Sequence, residues 1–426
     1  MEVKRAETIE YRPSVMADSE YKITKLFQNT GANNVTISSS ESVATIELPA
    51  VAMNLAQSYL NFTVTVPANT NAAKYSIAYR DTPPISRLEL FTRGGKYLMD
   101  ISNFSNVYQA FGQRTKMIED YHGSADGIIT KTSINELETE RFVVAGDGTT
   151  AAPAVVNFKI PGHELYNTIL SLDKSVWFGE VLQLRITFGA QDSVGFWADT
   201  YVPNAVPTLG PVITTPVSTG ASPITLTNLN FFLAQEQNPR VVNDLMQTVS
   251  TSGMSLVVPF VHSYKTSATA QDTAVSIRLS RGHGQSVERI YTIPINGVES
   301  FGTRYVADAE ALVSFYSLLD SRRLQEFDVI CGDPTGPHDY LWLRAREKQN
   351  RVVSLTADND EQNFAWSDSW CDGLECAKQQ HLGGLDLSVE RKYDIYFKST
   401  VATTKYYSAV VCQKMLSISP AGVEIM

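Results

Sequence analysis

LNFTVTV, at residues 60–66, places an apolar side chain at every second position and a polar one between each pair. That period of two is typical of a β-strand with one buried face and one solvated face. The same alternation recurs in LQLRITF at residues 182–188 and in VSIRL at residues 275–279. The sequence therefore predicts half-buried strands in both halves of the chain.

Turn residues separate the predicted strands. Gly94-Gly95 lies between LELFT and KYLMDI, where two glycines can supply the positive φ angles of a tight hairpin, and Asn296-Gly297 is a similar turn. Only two or three helical segments are predicted, which is too few for the crossovers of a parallel sheet. The predicted fold class is therefore all-β, with antiparallel sheets.

Two apolar runs have helical spacing. One follows Ser102, a candidate N-cap, and the other follows Asp308. The first run contains Phe104, Val107, Tyr108 and Phe111, and the second contains Ala311, Leu312, Phe315, Tyr316 and Leu319. We therefore expect a helix after each of the two predicted hairpins.

The order of these segments indicates an internal duplication. ISRLELFTRGGKYL begins at Ile85 and VERIYTIPINGVES begins at Val287, an offset of 202 residues (287 − 85). Leu182 and Leu387, in two further strand segments, differ by 205 residues (387 − 182). Two similar offsets predict two tandem copies of one structural unit.

A short helix is predicted between the two units. Asn238-Pro239 follows an apolar strand, proline is favoured at the first helical position, and Gly253 ends the segment. The predicted organisation is an N-terminal arm at 1–30, a first β-sandwich at 31–237, a linker helix at 238–253 and a second β-sandwich at 254–426. The arm carries Ile23, Leu26 and Phe27, so it either docks on a neighbouring molecule or lies against its own domain.

Composition and charge exclude several classes of protein. The 426 residues are 43% hydrophobic and 19% charged, which is typical of a globular chain with room for two domains. The net charge is −10 and neither terminus carries a Lys/Arg run, so direct nucleic-acid binding is not expected. MEVKRAETIEYRPSV lacks the apolar stretch of a signal peptide, and no segment approaches the roughly 20 apolar residues of a membrane span. We therefore expect synthesis inside a cell without a signal peptide, and neither conventional secretion nor a membrane span.

No motif predicts a catalytic, cofactor-binding or metal-binding residue. The histidines lack metal-ligand spacing, and Gly282-His283-Gly284 lacks the third glycine of a dinucleotide site, so it is interpreted as a hairpin tip. The six histidines are His122, His163, His262, His283, His338 and His381. The sequence therefore predicts no cofactor and no metal.

An acidic, aromatic segment, TADNDEQNFAWSDSWCDGLEC, is the strongest competing signal. Asp358, Asp360 and Glu361 suggest a calcium loop or a hydrolase site, but Asn363 and Ser369 stand where an EF-hand needs glycine and glutamate. We interpret the segment as a solvated loop whose tryptophans pack within the protein or at a subunit contact. The cysteines, Cys331, Cys371, Cys376 and Cys412, lack paired metal-ligand spacing and fit a reducing compartment.

Three segments are similar to parts of a known protein family. KYYSAVVCQKMLSISPAGVEIM, with Gly422 in its turn, resembles the last strands of the double jelly-roll major capsid proteins of tailless icosahedral DNA viruses. GGLDLSVERKYDIYF resembles a strand that precedes them, and NLNFFLAQEQNPRVV resembles the passage from the first jelly roll into its linker helix. The resemblance covers essentially the whole chain.

The resemblance implies a structural protein of the virion and not an enzyme. Two tandem antiparallel β jelly rolls with a few short helices would form a homotrimer, and that trimer a pseudo-hexameric capsomer of an icosahedral shell. The implied partners are neighbouring capsomers and penton or minor capsid proteins, with contact to an internal membrane left open. The alternatives are a trimeric carbohydrate- or receptor-binding jelly-roll protein and a jelly-roll glycoside hydrolase.

Loop lengths and absent motifs lead to an expectation about how such a trimer is held together. The segments 190–223 and 356–382 are longer than most connections between strands, and long loops often serve interfaces. We expect extensive burial between jelly rolls to stabilise the trimer, with no metal, cofactor or disulfide required.

Overall fold

The computed structural model describes residues 19–29, 34–37, 41–70, 75–79, 83–105, 142–146, 149–165, 167–189, 194–198, 213–216, 223–267, 272–296, 312–330, 366–370, 384–399 and 404–425. Within these ranges, no helix is both long and apolar enough to cross a membrane.

The first half of the described chain is built almost entirely from antiparallel strands. They are β1 (Tyr21–Phe27), β2 (Val35–Ile37), β3 (Ser42–Leu48), β4 (Ala52–Val66), β5 (Tyr75–Tyr79), β6 (Ile85–Thr92), β7 (Tyr97–Ser102), β8 (Phe142–Ala145), β9 (Ala154–Pro161), β10 (Ser175–Trp177), β11 (Leu182–Phe188), β12 (Gly195–Ala198), β13 (Ile213–Pro216) and β14 (Ile224–Glu236). Two short 3-10 turns, Gly162–Glu164 and Ile169–Ser171, follow β9.

Two of the sheets in this half stack as a sandwich. One has the order β1-β14-β4-β10, with β2 also on β14 and β9 also on β4, and the other has the order β3-β11-β6-β7. Phe62 on β4 contacts Phe188 on β11 across the core, with ring centroids 5.5 Å apart, because alternate residues of both strands face inward. A third sheet, β13-β12-β5-β8, adjoins β4 and β9.

The second half begins with one α-helix and forms a second sandwich. Its elements are α1 (Pro239–Thr251), β15 (Met254–Ser267), β16 (Asp272–Leu279), β17 (Ser286–Asn296), β18 (Leu312–Leu319), β19 (Arg322–Arg323), β20 (Val329–Ile330), β21 (Trp366–Ser369), β22 (Leu385–Asp386), β23 (Arg391–Ser399), β24 (Thr404–Ser419) and β25 (Gly422–Ile425). One sheet has the order β15-β24-β17-β21, with β22 on β17 and β25 on β24. The other has the order β16-β23-β18-β19, with β20 also on β18.

The two sandwiches repeat one topology. Strands β1, β14 and β4 lie in the same order as β15, β24 and β17, and strands β3, β11 and β6 lie in the same order as β16, β23 and β18. In each half the chain enters the first sheet, crosses to the second, returns, and ends beside the first strand. This is the doubled-sheet arrangement of a jelly roll. The predicted fold class, two tandem antiparallel jelly rolls with a few short helices, is confirmed.

The predicted offset of 202 residues was wrong, whereas the match of LQLRITF with LDLSVERKYDIYF was right, because β11 and β23 occupy equivalent places in the two rolls. β6 is equivalent to β18, so Ile85 corresponds to the region of Leu312, an offset of 227 residues (312 − 85) and not 202. β17, the strand that the sequence analysis had matched to β6, lies in the opposite sheet. The error arose because both hairpin-like segments share a turn pattern, while the loops between equivalent strands differ in length in the two rolls.

The second predicted helix is a strand. Leu312–Leu319 pairs with β23 from Ser399 to Tyr393, so the segment that follows Asp308 does not continue as a helix. A short apolar run fits both periods, and the partner strand decides between them. Of the first predicted helix, Phe104 and Ser105 form a helical turn, whereas Val107, Tyr108 and Phe111 lie outside the described residues.

The predicted N-terminal arm, residues 1–30, contains the first strand of the first roll. β1 pairs with β14 along its whole length, from Tyr21 with Glu236 to Phe27 with Asn230. Leu26 packs against the core, whereas Ile23 and Phe27 lie on the outer face of the sheet. Of the two predicted roles, residues 21–27 therefore adopt the second, since they lie against their own domain.

The two predicted long loops contain strands: β12 and β13 lie within 190–223, and β21 lies within 356–382. Several other local predictions are confirmed. LNFTVTV lies in β4, LQLRITF is β11, and VSIRL lies in β16, each with its apolar residues buried. Gly95 has a φ of 82° in the turn between β6 and β7. Asn238 caps α1 by accepting a hydrogen bond from the backbone N–H of Arg240, Pro239 is the first helical residue, and Gly253 has a φ of 73° just after the helix.

Candidate functional site

The residues weighed in the sequence analysis are scattered in the structure. His163 is exposed, whereas His122, His338, His381, Asp358, Asp360, Glu361 and Asn363 lie outside the described residues, as do Cys331, Cys371 and Cys376. Ser369 ends β21, and Cys412 is a buried free cysteine on β24. Burial raises the pKa of the Cys412 thiol to about 12, as expected for a thiol that packs among apolar side chains. Among the described residues, no group of three or more His, Cys, Asp or Glu side chains could hold a metal.

The two rolls are joined through the edges of two sheets. β7, at the edge of the first roll, lies beside β15, at the edge of the second roll. The Ser102 and Ser263 hydroxyls are 2.6 Å apart across this junction. Just after β7, Asn103 lines a small cavity with Tyr291 and Ala409 of the second roll. The end of β7 therefore packs against the face of the sheet that contains β15, β24 and β17.

The outer face of the second roll's first sheet is apolar where it meets the first roll. Val410 and Cys412 face the core of the second roll, whereas Ala409 and Val411, which alternate with them, belong to the same buried cluster as the first roll's core. Alternate residues of a strand point to opposite faces, so β24 supplies two cores at once. This shared burial holds the two rolls together without a disulfide among the described residues.

Helix α1 belongs to the same junction. Leu245 and Val249 are buried in the cluster that also contains Leu416 and Ile418 of β24. On β25, which pairs with this same end of β24, the backbone N–H of Val423 donates to Glu180 at 3.3 Å. The predicted linker is therefore a packed part of the interface and not a free spacer.

The entry to α1 is fixed by a buried carboxylate. Glu236 is 2% exposed. It accepts hydrogen bonds from the backbone N–H groups of Glu20 at 2.9 Å and Asn238 at 3.1 Å, and from the Ser175 hydroxyl at 2.9 Å. These contacts join the chain before β1, the strand β10 and the helix cap. A buried acceptor with three donors orients the linker helix relative to the first roll.

Replacing Glu236 with alanine is expected to lower the free energy of unfolding by about 2 kcal/mol, because buried backbone donors lose their acceptor. Glu236→Gln keeps one acceptor oxygen and should lose less. Glu424→Gln is the control, since Glu424 makes only an exposed pair with Lys96 at 3.3 Å. Urea denaturation of the three variants checks this order, and equal losses for Glu236→Ala and Glu424→Gln would contradict it.

A second buried carboxylate lies on the outer face of β6. Glu89 is 1% exposed and accepts from Arg185 Nε at 2.5 Å and Nη2 at 2.6 Å. Arg87 Nη2 is 3.2 Å from the same carboxylate and also binds Asp100 through two bonds of 2.8 Å. The hydrogen bond with Glu89 raises the pKa of Arg185, and the one with Asp100 raises the pKa of Arg87. Both oxygens of Glu89 are therefore engaged, as suits a structural ion network beside the junction.

Two histidines far apart in sequence meet at the edge of the second roll. The Tyr264 hydroxyl hydrogen bonds to His283 Nε2, and His262 Nε2 lies 3.2 Å from the His283 carbonyl oxygen. The backbone N–H of Ser280 donates to His283 Nδ1 at 3.2 Å, so Nε2 carries the proton in a neutral His283. Burial, followed by the charge of Lys414, lowers the pKa of His262 to about 4, and burial also lowers the pKa of His283. Both rings are therefore neutral at pH 7.

The turn that contains His283 was predicted to be a hairpin tip, and the structure shows a different connection. Gly282-His283-Gly284 is not a hairpin tip, because it joins β16 in one sheet to β17 in the other. Gly284 has a φ of 144°, and a Cβ at this position would lie 2.5 Å from the Gln413 carbonyl oxygen. Gly284 thus permits a tight crossing between the sheets.

Comparison with known proteins identifies the fold. No family model matches the sequence, and no curated protein matches it. The Faustovirus major capsid protein superposes with a TM-score of 0.57 at 11% identity, over 98% of this chain and 93% of that one. The mavirus major capsid protein gives 0.53 at 9% identity, over 100% and 95% of the two chains, and the PBCV-1 virus capsid gives 0.53 at 9% identity, over 97% and 98%. The chain therefore has the double jelly-roll fold found in these capsid proteins.

Proposed function

We propose that this double jelly-roll chain is a major capsid protein with a structural, non-enzymatic role in the shell of an icosahedral virion. The observation that carries the proposal is the match of both rolls, in order and over nearly the whole length, to three viral capsid structures. A lectin or an enzyme domain needs only one such sandwich, whereas tandem equivalent rolls give one chain two similar building faces.

We also propose that three copies form a pseudo-hexameric capsomer. Each chain supplies two equivalent rolls, at residues 21–237 and 254–426, held side by side by the linker helix at 238–253 and the shared core. Three chains then supply six similar rolls, and a closed ring stops growth at the capsomer. Neighbouring capsomers and penton or minor capsid proteins are the proposed further contacts.

Electron microscopy of the purified protein tests this proposal. We expect hexagon-like particles with three-fold symmetry and a solution mass about three times the chain mass of 47.0 kDa. A protein that stays monomeric at all concentrations and binds glycans would instead favour the carbohydrate-binding alternative. The acidic segment behind the hydrolase alternative lies largely outside the described residues, so that alternative stays a prediction.

Treatment with a chelator or a reductant tests how the trimer is held together. We expect the solution mass at neutral pH to remain that of a trimer with either reagent, because burial between rolls stabilises it. Dissociation to monomers under one reagent alone would overturn this part of the proposal and identify a metal or a disulfide as essential.

A further inference from the structure

The contact between the two rolls of one chain has two unequal halves. The donor half is the edge strand β7 with the residues that follow it, and the receiving half is the edge strand β15 with the outer face of its sheet. Each roll contains an equivalent of both halves. The first roll uses its donor half within the chain, and the second roll uses its receiving half.

The two unused halves can be located from the topology. β1 occupies in the first roll the place that β15 occupies in the second, so it is the equivalent of the receiving edge. β18 pairs with β23 on one side, so β19 and β20 share its other side and correspond to β7. In the described part of the chain, β1 and the β19–β20 edge are both outermost in their sheets.

The edge of the second roll that corresponds to β7 carries a short connecting segment, called the bulge below, with two exposed apolar side chains. The five residues Leu324–Asp328 separate β19 from β20, and Leu324 and Phe327 are 40% and 39% exposed. Hydrogen bonds to β18 fix the position of the bulge: Gln325 Oε1 accepts from the backbone N–H and the hydroxyl of Ser317, each at 3.0 Å. A fixed segment with two outward apolar side chains is suited to packing on a surface.

The receiving-like face of the first roll is apolar as well. Ile23 and Phe27 on β1 are each 48% exposed, on the outer face of the sheet. Beside them, the Phe232 and Tyr59 rings stack with centroids 4.5 Å apart, and Lys25 Nζ lies 5.1 Å from the Phe27 ring centroid. Lys22 and Lys25 are exposed at this edge, and in the bulge Asp328 pairs with Arg323 while Glu326 is exposed. The two surfaces therefore match in apolar character.

We propose that the Leu324–Asp328 bulge of one copy packs on the β1 edge and outer sheet face of a second copy. This contact repeats between chains the contact that β7 makes with β15 within the chain. It is a heterologous contact, which uses different surfaces on its two partners and closes into a ring only at a fixed copy number. The inference rests on the proposed trimer, because that trimer supplies the closure.

Aspartate substitutions on the two surfaces test the inference. Phe27→Asp and Phe327→Asp should each raise the concentration needed for trimerisation at least tenfold, because each removes an aromatic contact and requires a carboxylate to be desolvated in its place. Val389→Asp is the control, since Val389 is 61% exposed and lies on neither surface. Sedimentation velocity gives the masses, and circular dichroism checks folding. If either variant fails to fold, Ile23→Asp and Leu324→Asp probe the same two surfaces.

Mixing the two variants provides a signature of a heterologous contact. A Phe27→Asp chain keeps an intact bulge and a Phe327→Asp chain keeps an intact β1 face, so the mixture should form a two-chain species where each variant alone is monomeric. A mixture that stays monomeric would overturn the proposal, as would trimers of unchanged stability in both variants. A wild-type chain that never forms trimers would instead defeat the proposed capsomer itself.

Discussion

Replacing Phe62 with alanine is expected to lower the free energy of unfolding by about 3–5 kcal/mol, the range measured for large aromatic truncations in protein cores. Phe62 is fully buried at the centre of the first roll. Its ring centroid lies 5.1 Å from that of Phe158 on β9 and 5.5 Å from that of Phe188 on β11. The substitution therefore removes aromatic contacts within one sheet and across the sandwich, and leaves a cavity that two close-packed sheets cannot fill.

Denaturation by urea at several protein concentrations measures this loss separately from any effect of assembly on apparent stability. Val389→Ala is the control, because truncation of an exposed apolar side chain should change stability by less than about 0.5 kcal/mol. A loss below about 1 kcal/mol in Phe62→Ala would show that the sandwich core is not packed as described. Since Tyr291 and Val411 of the second roll share the first roll's buried cluster, we expect the two rolls to unfold together.

Strands whose pattern is local were predictable from the sequence. β4, β11 and β16 each bury one face, so the alternation of their side chains is visible without knowledge of the partner strands. The start of α1 was predictable for the same reason, because Asn238 and Pro239 alone are the sequence signal of a capped helix. Leu312–Leu319 was different. Its apolar residues satisfy helical spacing, but pairing with β23 makes it a strand, and that pairing is a tertiary contact.

The internal duplication was likewise predictable only in part from the sequence. Two units and the match of β11 with β23 were predictable from the sequence, but the partner of β6 required the sheets themselves, because loops of different length shift the offset from strand to strand. The two surfaces proposed for the contact between copies were even harder to predict from the sequence. Phe27 was noted as an apolar residue of an arm, whereas Leu324 and Phe327 were not singled out, since their exposure follows from the bulge between β19 and β20.

The histidine pair was missed for a comparable reason. His262 and His283 are separated by 21 residues (283 − 262), and no motif links a strand residue to a turn residue at that distance. Their contact follows from the crossing of the chain between sheets, where Gly284 permits a close approach to Gln413. The signal in the sequence was the glycine on each side of His283, which indicated a tight turn but not what the turn would contact.

Lowering the pH from 7 to about 4 is expected to destabilise the second roll through His262. Burial, Lys414 and His283 lower the pKa of His262 to about 4 in the folded chain, against 6.5 for an unperturbed histidine. The unfolded chain therefore takes up a proton below pH 6.5, while the folded chain resists it until about pH 4. The stabilisation from a neutral His262 is complete above pH 6.5 and is lost as the pH falls toward 4. The difference in pKa corresponds to about 3 kcal/mol.

The charged groups around His262 also favour its neutral form. Lys414 Nζ lies 4.0 Å from the ring centroid of Phe260, which itself packs 4.7 Å from the His262 ring. A protonated His262 would therefore face a cation, with His283 as a further titratable neighbour and Tyr264 in contact with His283. Asp100 of the first roll is the acidic group that favours the charged form, but its contribution to the pKa of His262 is the smallest. Repulsion and burial thus outweigh the one attractive charge.

Urea denaturation between pH 7 and about 4.5, on wild type and His262→Gln, measures this effect. Glutamine cannot take up the proton, so the variant should lose less stability than wild type as the pH falls, whatever its stability at pH 7. His163→Gln is the control, because His163 is exposed, and its pH dependence should follow that of wild type. Carboxylates titrate alike in all three proteins, so only the difference between their curves reports on His262. If wild type and His262→Gln lose equal stability over this interval, His262 is not held neutral by its surroundings in the folded chain.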